Sequence, residues 1–174
     1  THGIDLSAPV LGHVGRLAPE KNLDFLAKAV IQVLEHRPEA VFVVVGEGSS
    51  SSTIRDRARS AGVQSRLVMT GSLTGSDLAD AYCSMDLFVF VSTSETQGMV
   101  LVEAMAAGMP VVAIDAPGAR EVVKDGINGS LLPQNTTPEE LTQAVENFLA
   151  NEEFRRNCLH EAGLTAAGFS REAS

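Results

Sequence analysis

Two short stretches, AVFVVVG at residues 40–46 and DLFVFVS at 86–92, are almost unbroken runs of β-branched and aromatic side chains. A strand with one wet face alternates apolar and polar residues, so a continuous apolar run of this length marks a strand covered on both faces. Such strands belong to parallel sheets, whose crossover connections lay helices on either side. The rest of the chain follows the same alternation. Further strands are expected at 9–15, 66–71, 109–115 and 129–133. Helices are expected at 22–36, 51–62, 76–85, 98–108, 119–123, 138–150 and 152–168, with Gly, Pro, Ser or Asp at each switch. Serines are expected to cap the helix at 51–62, Gly62 to end it, and a Ser or Asp to cap the helix at 76–85. The expectation is an α/β chain with a Rossmann-like, doubly wound parallel sheet of about six strands.

With 174 residues, 44% of them hydrophobic, the chain suits one compact domain. Its formal net charge of −9 disfavours general binding to nucleic acid, where Lys and Arg must neutralise phosphates. A bound anion therefore has to meet local positive charge. Cys83 and Cys158 stand far apart without metal-ligand spacing, which reads as reduced thiols in a cytoplasmic protein. No apolar run approaches the roughly 18 residues of a membrane-spanning helix. The opening THGIDLSAP and the closing FSREAS read as the ends of a piece of something longer.

The stretch SETQGMVLVEAMAAGMPVV carries two carboxylates, Glu95 and Glu103, in otherwise apolar surroundings. Glu95 falls in the loop after the fourth strand, where ligands of doubly wound sheets gather. Glu103 falls in the second turn of a helix starting near Gly98 that is apolar nearly all round, so it is expected to be buried. A buried carboxylate needs a partner, and a vicinal diol is one that can donate to both oxygens. The amides of Gly98, Met99 and Val100, unpaired at the helix start, suit a phosphate, which Gly98 lets approach closely. Ribose on Glu103, phosphate on these amides and Glu95 beyond would describe a nucleoside diphosphate sugar. The plainer alternative is that Glu103 is a rim acid paired to an arginine and Glu95 an exposed loop acid. Spacing does not choose between them.

The segment VGRLAPEKN follows the first strand, and Arg16 and Lys21, at a strand end beside Gly15, are expected to fold over one site as a pair of phosphate-binding cations; the plainer alternative is a helix-capping basic pair on the surface. His13, on that strand, reads as a satisfied core or edge histidine rather than a ligand. VGEGSSSST at 45–53 begins like a glycine-rich phosphate loop but lacks a third glycine, which leaves a dinucleotide-dependent oxidoreductase as the alternative enzyme class.

Together VGRLAPEKN, VVVGEG, LVMTGSL, DLFVFVSTSETQGMVLVEAMAAGMPVVA, GAREVVKDGINGSLLP and PEELTQAVENFL resemble, in order, the C-terminal, donor-binding half of a GT-B glycosyltransferase of the retaining GT4 family. The resemblance implies that residues 1–8 are an interdomain linker remnant, 9–168 a nucleotide-sugar-binding domain and 169–174 a truncated C-terminal segment. It implies that Arg16 and Lys21 hold the donor diphosphate, Glu103 the ribose hydroxyls and Glu95 the transferred sugar. Gly98, Met99 and Val100 would then offer amides, and the turn at Leu73 would meet the base. Gln97 departs from the phenylalanine many members carry there. The implied reaction moves a hexose from a UDP-glucose-like or GDP-mannose-like donor to an acceptor hydroxyl with retained configuration. It needs no metal or other cofactor, and the chain has no Asp-x-Asp or metal-ligand cluster. The acceptor, whether glycan, lipid or small molecule, would bind a missing N-terminal domain, so this chain is expected to be inactive alone. Peripheral membrane association of the full-length enzyme stays open, as does a non-catalytic nucleotide-sugar sensor with the same site.

Overall fold

A computed structural model describes residues 7–94 and 98–172, with side chains through Phe169. Six strands form one sheet: β1 (Val10–Val14), β2 (Val41–Val45), β3 (Leu67–Gly71), β4 (Leu87–Phe90), β5 (Val111–Ile114) and β6 (Gly129–Leu132). They lie in the order β3-β2-β1-β4-β5-β6 and every pairing is parallel. The helices are α1 (Leu23–His36), α2 (Ser51–Ser60), α3 (Gly75–Cys83), α4 (Met99–Ala106), α5 (Pro117–Val122), α6 (Pro138–Ala150) and α7 (Glu152–Glu172). This is the doubly wound Rossmann-like architecture that the apolar runs imply.

The pleat of β2 shows why both of its faces must be apolar. Phe42 and Val44 join a layer containing Leu26, Val30 and Leu34 of α1 with Leu141, Val145 and Phe148 of α6. Val41, Val43 and Val45 join the opposite layer with Tyr82 of α3, Leu101 and Met105 of α4, and Ala162 and Ala166 of α7. The helices supply complementary stripes: Leu23, Leu26, Ala27, Val30 and Leu34 recur at helical spacing and are buried.

The helix ends differ from expectation in detail. Ser50 precedes α2 and Thr74 precedes α3, yet neither side chain makes a capping hydrogen bond. Side-chain capping appears instead at α6, where Thr137 and Glu140 bond each other's backbone amides. Gly62 does follow α2, its amide donating to Arg59. Short 3-10 turns at residues 19–21 and 64–66 have no apolar period to announce them. The last helix runs past the expected end at Gly168 to Glu172.

Two loops at the carboxyl edge are joined backbone to backbone. Gly15 N donates to Val45 O at 3.0 Å, Leu17 N to Glu47 O at 2.8 Å and Ser50 N to Leu17 O at 2.9 Å. Gly46, at φ +136°, lies so close to Gly15 that a Cβ would stand 1.9 Å from the Gly15 carbonyl oxygen. The glycines of VGEG therefore serve a neighbouring strand loop. Replacing Gly46 by Ala is expected to destabilise the fold by about 2–4 kcal/mol, since strain and a backbone clash coincide. Urea unfolding checks this, and an unchanged midpoint would show that the two loops separate without cost.

Candidate functional site

From β1 the chain winds outward through β2 and β3, and from β4 outward through β5 and β6. Where those directions part, the loops leaving β1 and β4 diverge and open a crevice above the strand ends. A cavity of about 250 Å³ occupies this point, lined by His13, Gly15, Arg16 and Lys21 from the β1 side and by Phe90, Ser92 and Val100 from the β4 side.

The cations reach it through a tight local fold. Ala18 N donates to Arg16 O, and Lys21 N to Ala18 O at 2.9 Å, which curls Leu-Ala-Pro-Glu into a turn. Pro19 opens the 3-10 turn with its ring-fixed φ. Arg16 and Lys21 thus flank one opening. Glu20 folds back to an ion pair with Arg16 at the surface, and its carboxyl is held below the usual range by its own backbone amide, with Arg16 adding to the effect. Ser94 Oγ, in the β4 loop, donates to Glu20 O at 3.5 Å and links the two sides of the opening.

His13 forms the buried floor, 2% exposed. Its Nδ1 lies 3.2 Å from the Val89 carbonyl oxygen, so that nitrogen carries the proton. Its ring stacks at 6.2 Å on Phe88. Burial, followed by the charge of Lys21, lowers its pKa to about 4 against the Val89 bond that raises it. It is a satisfied core histidine, as expected, and it also borders the cavity.

Helix α4 starts on the far side. Gly98 takes φ +61°, and a Cβ there would stand 2.4 Å from the Gly118 carbonyl oxygen of α5. Only glycine suits both demands. The first amides of α4 have no acceptor within the helix, and Val100 brings that end to the cavity. Met99 is exposed, at 55%. Glu95 and Gln97 lie outside the described residues.

Glu103 departs from expectation: it is exposed, not buried. Helix α4 buries Leu101, Ala104 and Met105 and leaves a stripe through Met99, Glu103 and Ala106 outside. The apolar character of that stripe had concealed it. Among the described residues no arginine meets Glu103; Tyr82 on α3 does, donating its hydroxyl to Oε2 at 2.8 Å. Val100 and Glu103, three residues apart, share one side of α4 about one turn from each other. Glu103 lines a groove of about 360 Å³ between α3 and α4 with Gly75, Leu78 and Tyr82. Leu73, half-buried, sits in the turn leading into that groove.

Arg16, Lys21, Gly15 and Val100 are therefore brought together, while Leu73 and Glu103 lie along the neighbouring groove. Sequence reasoning missed Tyr82, Ser92 and Phe90. The chain's single tyrosine was the available signal for the first; the other two end a strand already placed at the edge. Asp115 is taken up by a two-pronged pair with Arg120, both contacts at 2.9 Å. Among the described residues no group of three or more His, Cys, Asp or Glu is placed to hold a metal.

Comparison with known proteins gives a consistent result. The family model described as "Glycosyl transferases group 1" matches residues 1–163. A GDP-mannose-dependent alpha-mannosyltransferase of Mycolicibacterium smegmatis is 41% identical over 142 residues, 82% of this chain and 35% of that protein. The crystal structure of Anabaena HepE in complex with UDP-glucose superimposes with TM-score 0.83 at 28% identity, covering 93% of this chain and 44% of that one. The pneumococcal O-GlcNAc transferase GtfA, in complex with UDP and GlcNAc, gives TM-score 0.82 at 28% identity, over 95% of this chain and 34% of that one. The chain thus spans about a third of the mannosyltransferase it matches.

His13 sets a pH dependence. Its folded pKa of about 4 lies below the unfolded 6.5, so the unfolded chain binds more protons between those values and stability falls with pH across that window. Urea unfolding at pH 7.5 and pH 5 is expected to show about 2 kcal/mol more loss in the parent than in His13→Gln. Equal losses would mean that the imidazole is not held neutral.

Proposed function

The chain belongs to the family of group 1 glycosyl transferases, and from that premise we propose that it is the donor-binding half of a retaining, GT4-type hexosyltransferase. The observation that carries this is the convergence of Arg16, Lys21 and the start of α4 on one cavity at the switch point, in a chain of net charge −9. Positive charge is concentrated where a diphosphate would sit, against the overall balance.

In this reading Arg16 offers a planar fork and Lys21 an ammonium to the diphosphate, with the amides of Gly98, Met99 and Val100 facing the same oxygens. Glu103 accepts from the ribose diol, Leu73 borders the base, and Glu95 holds the transferred hexose. The C–O bond between the sugar's anomeric carbon and the β-phosphate breaks with its electron pair going to phosphate. Arg16, Lys21 and the helix start stabilise that departing charge, while an acceptor hydroxyl attacks from the same side. The proton it loses has the departing phosphate within reach. Fixed cations and amides do the electrostatic work, so the reading includes no metal.

The names of similar proteins divide over the base, GDP in one and UDP in others, so the donor class proposed is a nucleoside diphosphate hexose. Acceptor binding and turnover would use residues beyond these 174, and we expect no transfer from this chain alone. Free thiols at Cys83 and Cys158 suit a cytoplasmic setting, and no helix among the described residues is long and apolar enough to cross a membrane. The dinucleotide-dependent alternative loses its support because the VGEG glycines pack against the Gly15–Leu17 loop.

Calorimetric titration with UDP, GDP, ADP and NAD tests the reading. One nucleoside diphosphate is expected to bind, and Arg16→Ala to weaken it by about 1.5–3 kcal/mol with little effect on the parent nucleoside. Preferential NAD binding, or indifference to Arg16→Ala, would overturn it.

A further inference from the structure

Glu103 is an exposed glutamate that does not point freely into water, because a tyrosine hydroxyl restrains it. Tyr82 is 4% exposed, its ring fixed among core residues and tilted against Phe88 at a centroid distance of 6.1 Å. Its hydroxyl donates to Glu103 Oε2 at 2.8 Å. We propose that Tyr82 is a positioning residue for the donor: it fixes one oxygen of the Glu103 carboxylate so that the remaining lone pairs face the groove and receive the ribose diol. This rests on the reading of Glu103 as the ribose acceptor and adds the reason that an exposed side chain is preorganised for it.

The chemistry of the partner matters. A carboxylate offers about four acceptor positions, and a phenol occupies one. An arginine in the same place would occupy two and cancel the charge that makes the carboxylate a strong acceptor. Tyr82 holds without neutralising. Burial first, and the bond to Glu103 second, push the phenol above its usual pKa, so it keeps its proton and stays a donor. Restraint also lowers the entropy lost on binding, since a free glutamate would have to be ordered by the ligand itself. The groove beside the pair, about 360 Å³ and bordered by Gly75 and Leu78, opens from the turn at Leu73, which leaves room for a nucleoside next to the carboxylate.

The experiment measures dissociation constants of UDP, GDP and ADP and of their 2′,3′-dideoxy forms for the parent chain, Tyr82→Phe, Glu103→Gln and the double variant. Glu103→Gln should reduce the preference for ribose over dideoxyribose about ten- to a hundredfold, and Tyr82→Phe about three- to tenfold. Dideoxy binding should stay unchanged in Tyr82→Phe, which separates positioning from general damage to α3. In the Glu103→Gln background the tyrosine substitution should have no further effect. If Glu103→Gln lowers the ribose preference and Tyr82→Phe does not, or if Tyr82→Phe weakens both forms equally, the role of Tyr82 is overturned while the ribose assignment stands. If Glu103→Gln leaves the preference intact, the ribose assignment itself fails. Failure of the parent to bind any of the nucleotides overturns both.

Discussion

The reversal of winding between β1 and β4 is the constraint on which the site depends. Parallel strands carry their connections over the faces of the sheet, and as long as successive connections run the same way each loop covers the next strand end. At the β1–β4 pair the two halves of the chain run in opposite senses, and neither loop can close over the gap. The cavity bordered by Gly15, Arg16 and Val100 follows from topology before any side chain is chosen. Side chains then decide what enters.

Support for that opening comes from its neighbour. The loop after β1, residues 15–22, would be a floppy excursion if left alone; instead Gly15, Leu17 and the segment 45–50 bond each other by main-chain groups. Gly46 and Gly48 permit the approach, since a Cβ on either would fall about 2 Å from a carbonyl oxygen of the first loop, at 1.9 and 2.2 Å. A glycine motif that looks like a phosphate loop is thus a brace for the loop after β1. The same residue type answers two needs, close approach to an anion and close approach to another backbone, and a lone sequence motif does not distinguish them.

That ambiguity explains what could and could not be read from the chain. The six strands were legible because Val41–Val45 and Leu87–Phe90 are apolar at every position, and α1 because its buried residues keep helical spacing. The placement of Arg16 and Lys21 was legible because both flank a short turn set by Pro19. The exposure of Glu103 was not. Helix α4 has Val, Met and Ala on its outer stripe as well as its inner one, so the pattern carried no information about which side faces water. Capping by Ser50 also failed, because the chain entering α2 is already held by Ser50 N on Leu17 O and does not need its side chain. In both cases tertiary contacts overrode a local rule.

The two restrained carboxylates beside the site show how differently such a group can be held. Glu20 is paired with a full opposite charge, Arg16, at the surface and in water. Such pairs contribute little to stability and exchange readily, so on the proposed reading an incoming diphosphate, with more charge and a better geometric match to the guanidinium fork, takes Glu20's place. Glu103 is held by a neutral donor anchored in the core. On the proposed reading the first arrangement keeps Arg16 at the cavity, and the second keeps Glu103 oriented and still able to bond. The net negative charge of the chain sharpens the distinction, because the cations at the cavity are few and each carboxylate near them must either step aside or stay a turn away.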